Sequence, residues 1–256
     1  MTAVDVSYDV SGRADGPVVL LSNSLGSTMA MWDGNVAALE SQFRVVRYDT
    51  RGHGESPVPD GPYEIDDLVD DLIALLDTVG ADRAHLVGLS IGGMTAMRLA
   101  IREPERVDRL VLICTSARLE PVSGWLERAA LVRDNGTAAI APVVAARWFT
   151  PTYLDAHPEL RVASEAMVAG TPPEGYAGCC EAIAAMDLRD DLASIKAPTL
   201  AIAGADDPAI PLDHLRRIAD SVHDARLLVV ADAAHLAAAQ QPDTINAAMV
   251  AHLEDR

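Results

Sequence analysis

Six short apolar runs recur along the chain: PVVLLSN (17–23), FRVVRYD (43–49), AHLVGL (84–89), RLVLICT (109–115), PTLAIAG (198–204) and RLLVVAD (226–232), with helical patterns between most of them. Runs of this length that are apolar at successive positions suit strands buried on both faces. Strand and helix in alternation build a mostly parallel sheet covered by helices, so the expected class is α/β. The opening VDVSYDVSG alternates apolar and polar residues instead, as an antiparallel strand does. The alternation is interrupted once. Residues 118–190 are helical in pattern, and they read as a helical cap inserted into a core made of 1–117 and 191–256. With half of its 256 residues hydrophobic, the chain can bury one substantial core, and a single structural unit is expected.

Within that frame the stretch VGLSIGGM (87–94) closes a strand and opens a helix around Ser90. A G-x-S-x-G sequence in that setting makes a turn so tight that Gly88 and Gly92 can carry no side chain, and it lifts the serine hydroxyl out of the sheet edge. A hydroxyl is a poor nucleophile near neutral pH, so it needs a base and a carboxylate to orient that base. In an open α/β sheet the chemistry gathers beyond the carboxyl ends of the strands. Of seven histidines, His235 lies just past the last apolar run. His85 lies near the start of its strand, at the wrong end, and His53 belongs to a glycine-rich loop. His157, His214, His223 and His252 sit in polar or helical contexts and read as surface residues. The strand end PTLAIAGADDP offers Asp206 and Asp207, of which Asp207 is favoured. An oxyanion hole needs two donors: the amide of Ile91 follows the serine, and the amide of Leu25 lies in the loop SNSLGS, where Ser24 also stands beside the expected substrate.

Composition narrows the partners. A formal charge of -18 disfavours nucleic acid and anionic membrane surfaces, both of which are negative. Of the 20 basic residues only Lys196 is a lysine, so nearly every cation is a guanidinium suited to carboxylates. An anionic small substrate therefore needs a local arginine. The aspartates 66, 67, 70 and 71 lie at helical spacing opposite Leu68, Leu72 and Leu76 and read as a solvated face. Three cysteines make no disulfide framework, and neither a basic start with an apolar stretch nor a membrane-length run is present, so a reducing cytoplasm is the expected compartment. No HExxH or spaced Cys/His set occurs, and neither a metal nor an organic cofactor is expected.

The order Ser90, Asp207, His235 at successive strand ends resembles the α/β-hydrolase fold over nearly the whole chain, and YDTRGHGES (48–56) resembles that fold's turn beside the nucleophile, with Arg51, Gly52 and His53 structural. More narrowly, SNSLGSTMAMWD, RWFTP (147–151), GYAGCCEAIAAMDLRDDL (175–192), AGADDPAIP and AAHLAAAQQP resemble the 3-oxoadipate enol-lactonases. The stretch Leu236 to Gln240 departs from that family, which has a more polar segment with an acidic residue there. The resemblance implies hydrolysis of a small anionic lactone or ester in aromatic catabolism. A cap arginine, Arg133 or Arg147, would then hold the substrate carboxylate, and Trp125 and Trp148 would wall the pocket.

Overall fold

All six apolar runs are strands in the structure, a computed structural model that describes residues 2–255. They are β2 (Val18–Ser22), β3 (Arg44–Tyr48), β4 (Ala84–Leu89), β5 (Val107–Ile113), β6 (Thr199–Gly204) and β7 (Ala225–Val230), and the alternating segment near the start supplies β1 (Tyr8–Gly12). The sheet order is β1-β3-β2-β4-β5-β6-β7. β1 runs antiparallel to β3 with Tyr8 opposite Tyr48, and every other pair is parallel. β2, β4 and β6 are buried at every residue, as strands covered on both sides must be, whereas the edge strand β1 leaves most of its residues exposed. The registers Ser22 to Gly88, Leu89 to Ile113 and Ile113 to Ile202 bring the carboxyl ends of these strands to one rim.

Helices α1 (Asp33–Glu40), α2 (Ile65–Thr78), α3 (Ile91–Arg102), α9 (Leu212–Ser221), α10 (Ala237–Gln240) and α11 (Pro242–Glu254) accompany the sheet. α3 packs on β2, β4 and β5, α9 on β6 and β7, and α1 against α11. Between β5 and β6 the described residues hold five helices and no strand: α4 (Val122–Asn135), α5 (Ala141–Ala145), α6 (Pro151–Ala156), α7 (Pro158–Ala169) and α8 (Pro173–Ala185). α4 lies along α8, and Arg133 clasps the two by bonding both Glu174 and Glu181. α8 in turn sits directly on the core. The Gly52 and Gly175 backbones touch so closely that a Cβ on either would collide with the other. Gly178 lies flat against the Tyr63 ring, where a Cβ would come within 2.6 Å of it.

The aspartates of α2 are not the solvated face that their spacing suggests. Asp66 and Asp70 pair with Arg98 and Arg102 of α3, while Asp67 and Asp71, one turn apart on a single stripe, are buried. Asp71 accepts two hydrogen bonds from the fully buried Arg51, at 2.6 and 2.7 Å. Removing one partner of such a buried pair leaves an uncompensated charge, at a cost of about 3–5 kcal/mol. The periodicity found the helix but misplaced Asp67 and Asp71, because it could not see that a guanidinium from another loop would meet them. His252, expected on the surface, is buried near the end of α11 with Nε2 3.2 Å from the Pro198 carbonyl oxygen. His214 is half-buried and shares a 2.7 Å hydrogen bond with Ser116 Oγ. No helix among the described residues is long and apolar enough to cross a membrane.

Candidate active site

Ser90 occupies the turn between β4 and α3 with φ 58° and ψ -121°, a left-handed conformation that a residue with a side chain adopts only when its surroundings enforce it. The enforcement comes from both flanks. A Cβ at Gly88 would strike the Gly92 carbonyl, and one at Gly92 would strike the Ser22 carbonyl at the end of β2. The Ser90 and Gly92 amides are also fixed, bonding the carbonyl oxygens of Ile113 and Asn23.

His235 follows β7 and Asp207 follows β6, and the two meet: His235 Nδ1 lies 2.8 Å from Asp207 Oδ2. The other carboxylate oxygen, Oδ1, accepts the amides of Ala209 and Ile210 at 2.8 and 3.1 Å. With both oxygens engaged, the carboxylate is held rigidly behind the imidazole, the arrangement that selects the Nδ1–H tautomer and leaves Nε2 to act as a base. Asp206 does not take this position. The Cys114 Sγ atom lies within 4.8 Å of the Asp207 and His235 polar atoms, and burial raises its thiol pKa well above the ordinary value. It accepts the Gly204 amide and lies 3.7 Å from the Ala234 carbonyl oxygen, so it serves as a neutral packing group beneath the pair. The other two cysteines are also free and buried.

Ser90 and His235 line one cavity, about 520 Å³ with its open mouth included. Ser90 Oγ makes no hydrogen bond to protein among the described residues, so the serine and the imidazole share the cavity without a closed contact. Such contacts are commonly long in free enzymes and tighten once substrate is bound. Two amides close to Ser90 are free as well. The N–H groups of Leu25 and Ile91 find no acceptor among the described residues, although the neighbouring amides of Ser24, Gly26, Ser90 and Gly92 all do. Both residues are buried, and unpaired buried amides are uncommon enough to mark a place prepared for an incoming acceptor.

Further lining comes from the loop after β2 (Ser24 and Leu25), from the segment between β5 and β6 (Trp125 and Arg128 of α4, Arg147, Trp148, and Tyr176 of α8) and from Ala209 and Ile210 after β6. Of the residues singled out in the sequence, Ser24, Trp125, Arg147 and Trp148 are therefore at the cavity. Arg133 is not. Arg133 lies about 140° around α4 from Arg128, five residues before it, and its guanidinium is taken by two glutamates, Glu174 and Glu181. Arg128, three residues after Trp125, is the α4 arginine at the cavity, its guanidinium 4.7 Å from the centre of the Trp125 ring. That spacing of three from a tryptophan was the available signal. Neither Arg128 nor Arg147 has a carboxylate partner among the described residues. Gln240 also escaped sequence reasoning. Its Oε1 accepts the amides of Ala234 and Thr150, and its Nε2 donates to the Asp232 carbonyl and to Thr150 Oγ1, which fixes the loop carrying His235. The Leu236 amide, bonded to the Trp148 carbonyl at 2.8 Å, ties that loop to the helical segment.

A family model described as alpha/beta hydrolase fold matches residues 17–242. The chain is 40% identical to 3-oxoadipate enol-lactonase 2 of Acinetobacter baylyi, over 98% of this chain and 94% of that one. A protein of Caulobacter sp. carrying the name carbamate hydrolase RutD is 33% identical, over 95% and 93%. The crystal structure of the enol-lactonase from Burkholderia xenovorans superimposes with a TM-score of 0.95 at 39% identity, covering 98% of this chain and 96% of that chain. With the parallel sheet, the serine turn and these likenesses together, the chain belongs to the alpha/beta hydrolase fold family, as a hydrolase similar to the 3-oxoadipate enol-lactonases.

Proposed function

We propose that this chain is a serine-type hydrolase that opens 3-oxoadipate enol-lactone to 3-oxoadipate, acting in the cytoplasm during protocatechuate catabolism. The observation that carries the reading is one cavity lined by Ser90 and the Asp207-backed imidazole of His235 together with Arg128 and Arg147, neither of which has a carboxylate partner among the described residues. In a chain whose other guanidiniums are so often paired with Asp or Glu, two without a carboxylate in the cavity of a nucleophile suit a substrate that brings its own.

The steps follow from the geometry. The substrate carboxylate docks at the arginines while the apolar ring lies against Trp125, Trp148 and Tyr176. Ser90 Oγ attacks the lactone carbonyl as His235 Nε2 takes its proton, and Asp207 stabilises the imidazolium. Charge developing on the carbonyl oxygen meets the amides of Leu25 and Ile91; each such donor is worth on the order of 3 kcal/mol in the transition state. Collapse breaks the bond to the ring oxygen, which leaves as an enolate and takes the proton from His235. Water, deprotonated by the same imidazole, then releases the acid from Ser90. The helices between β5 and β6 act as a cap that lowers the local dielectric and strengthens these contacts.

Turnover of freshly generated 3-oxoadipate enol-lactone by the folded wild type, with loss of at least ~10³-fold in Ser90→Ala, is the expected result. Activity retained by Ser90→Ala would refute the nucleophile. The similarity to the RutD protein favours carbamate as the second substrate class to assay. A kcat/KM higher for carbamate, or for a neutral aryl ester, than for the enol-lactone would overturn the substrate assignment while leaving the hydrolase chemistry in place.

A further inference from the structure

His53 stands in the loop after β3, outside the cavity lining, and is buried to within 1% of full enclosure. Its two ring nitrogens have different partners. Nδ1 is 3.2 Å from the Arg51 carbonyl oxygen, which can only accept, so Nδ1 carries the proton. Nε2 therefore presents a lone pair, and the Gly26 N–H donates to it at 3.0 Å.

That donor belongs to a turn. Ser27 N–H bonds the Ser24 carbonyl at 3.2 Å, and Gly26, third of the four residues, has φ +77°. A turn with a left-handed third residue differs from its commoner relative by the orientation of the central peptide, here the one joining Leu25 to Gly26. The Ser27 hydroxyl adds a second bond to the Ser24 carbonyl at 2.7 Å, closing the turn without choosing between the two orientations. The choice falls to the Gly26 N–H, and its acceptor is His53. On the opposite side the Tyr176 ring of α8 leaves so little space at Gly26 that a Cβ would sit 3.0 Å from Cε2. The residue beside His53, Gly52, is the one whose backbone meets Gly175 of the same helix. The turn that carries the free Leu25 amide is thus held between an imidazole acceptor and the foot of α8.

We propose that His53 is a positioning residue for acyl transfer: by accepting the Gly26 N–H it fixes the Leu25–Gly26 peptide and so holds in place the Ser24–Ser27 turn that presents the Leu25 N–H to the oxyanion. This rests on the reading of Ser90 as the nucleophile with Leu25 and Ile91 as oxyanion donors. His53 touches neither substrate nor reacting atoms, and its influence runs through one peptide.

Two variants separate this role from a merely structural one. In His53→Gln an amide oxygen reaches the position of Nε2 and can accept the Gly26 N–H. In His53→Asn the polar atoms reach only the position of Nδ1. Hydrolysis of p-nitrophenyl acetate, with the folded fraction set by titration of Ser90 with a fluorophosphonate, gives kcat and KM per competent molecule. His53→Asn is expected to lose ~10–100-fold in kcat, part of the ~10²–10³-fold that deleting one oxyanion donor costs. KM should stay within about 3-fold, and His53→Gln should recover at least ~10-fold of the lost kcat, because only the transition state uses the donor. Equal kcat in the two variants, or a loss confined to KM, overturns the proposal. Should neither variant fold, hydrogen exchange in the wild type decides: a Gly26 amide as unprotected as an open loop's removes the bond on which the argument stands, and a protected one upholds it. A wild type inert to both ester and fluorophosphonate would sink the Ser90 reading itself, an outcome separate from the comparison of the two variants.

Discussion

Burial holds the His53 pKa down to about 4, from an ordinary 6.5, because the enclosed imidazole would have to carry its charge away from solvent. The unfolded chain therefore binds a proton on this residue between pH 6.5 and 4 that the folded chain refuses. Stability falls as the pH drops through that window. The full effect below pH 4 is about 3 kcal/mol, and between pH 7 and pH 5 it is about 2 kcal/mol. The buried His85 and His252 and the half-buried His214 have lowered pKa values too and act in the same direction, as do the depressed carboxylates of Asp66 and Glu174. Comparison with His53→Gln cancels them, since glutamine does not titrate. Urea unfolding at pH 7, 6 and 5 should show the wild type losing about 2 kcal/mol more than the variant over that range. A gap between the two proteins that stays constant within about 0.5 kcal/mol would mean that His53 is not held neutral by burial, and the tautomer assigned from its neighbours would fall with it.

The cavity makes a directional prediction for its arginines: Arg128→Ala should raise KM for the enol-lactone by ~10–100-fold, the loss of one charge-assisted pair, with little change for p-nitrophenyl acetate. Arg133→Ala, which breaks only the clasp between α4 and α8 in a partly exposed setting, should leave both KM values nearly unchanged and cost about 1 kcal/mol or less in a thermal or urea melt. Gln240→Ala leaves the Ala234 and Thr150 amides without their acceptor, and should lower stability by about 2–4 kcal/mol and kcat along with it; an unchanged melt would show that water replaces the side chain at no cost. Gly92→Ala forces a methyl group against the Ser22 carbonyl, and should destabilise by at least ~1–3 kcal/mol and abolish fluorophosphonate labelling of Ser90.

The sheet was legible because its inner strands are largely buried on both faces and so are written as apolar runs, and the structure shifts the ends of the six runs by at most two residues. Ser90, Asp207 and His235 each follow such a run, so strand position alone ranked them as candidates, and the structure brings His235 to Asp207 and to the cavity that Ser90 lines. What escaped the sequence depends on which partner arrives from elsewhere. Asp67 and Asp71 look the same as Asp66 and Asp70 until Arg51 is buried beside them. Arg128 and Arg133 share a helix, and only the position of Glu174 and Glu181 on α8 shows which of them is occupied. His53 reads as a loop residue until the Gly26 amide is seen to point at it. The Gln240 side chain makes four hydrogen bonds, none of them to a residue closer than six along the chain.

The glycine-to-glycine seat of α8 on the loop after β3 has a consequence for how such a scaffold diversifies. Contact between two bare backbones tolerates no added atom on either side, so α8, and α4 through the arginine clasp, are poorly suited to remodelling. The stretch from α5 to α7 is free of that constraint, and it runs through Arg147 and Trp148. New substrate preferences should accumulate there, on a replaceable panel, while the machinery around Ser90 is inherited unaltered.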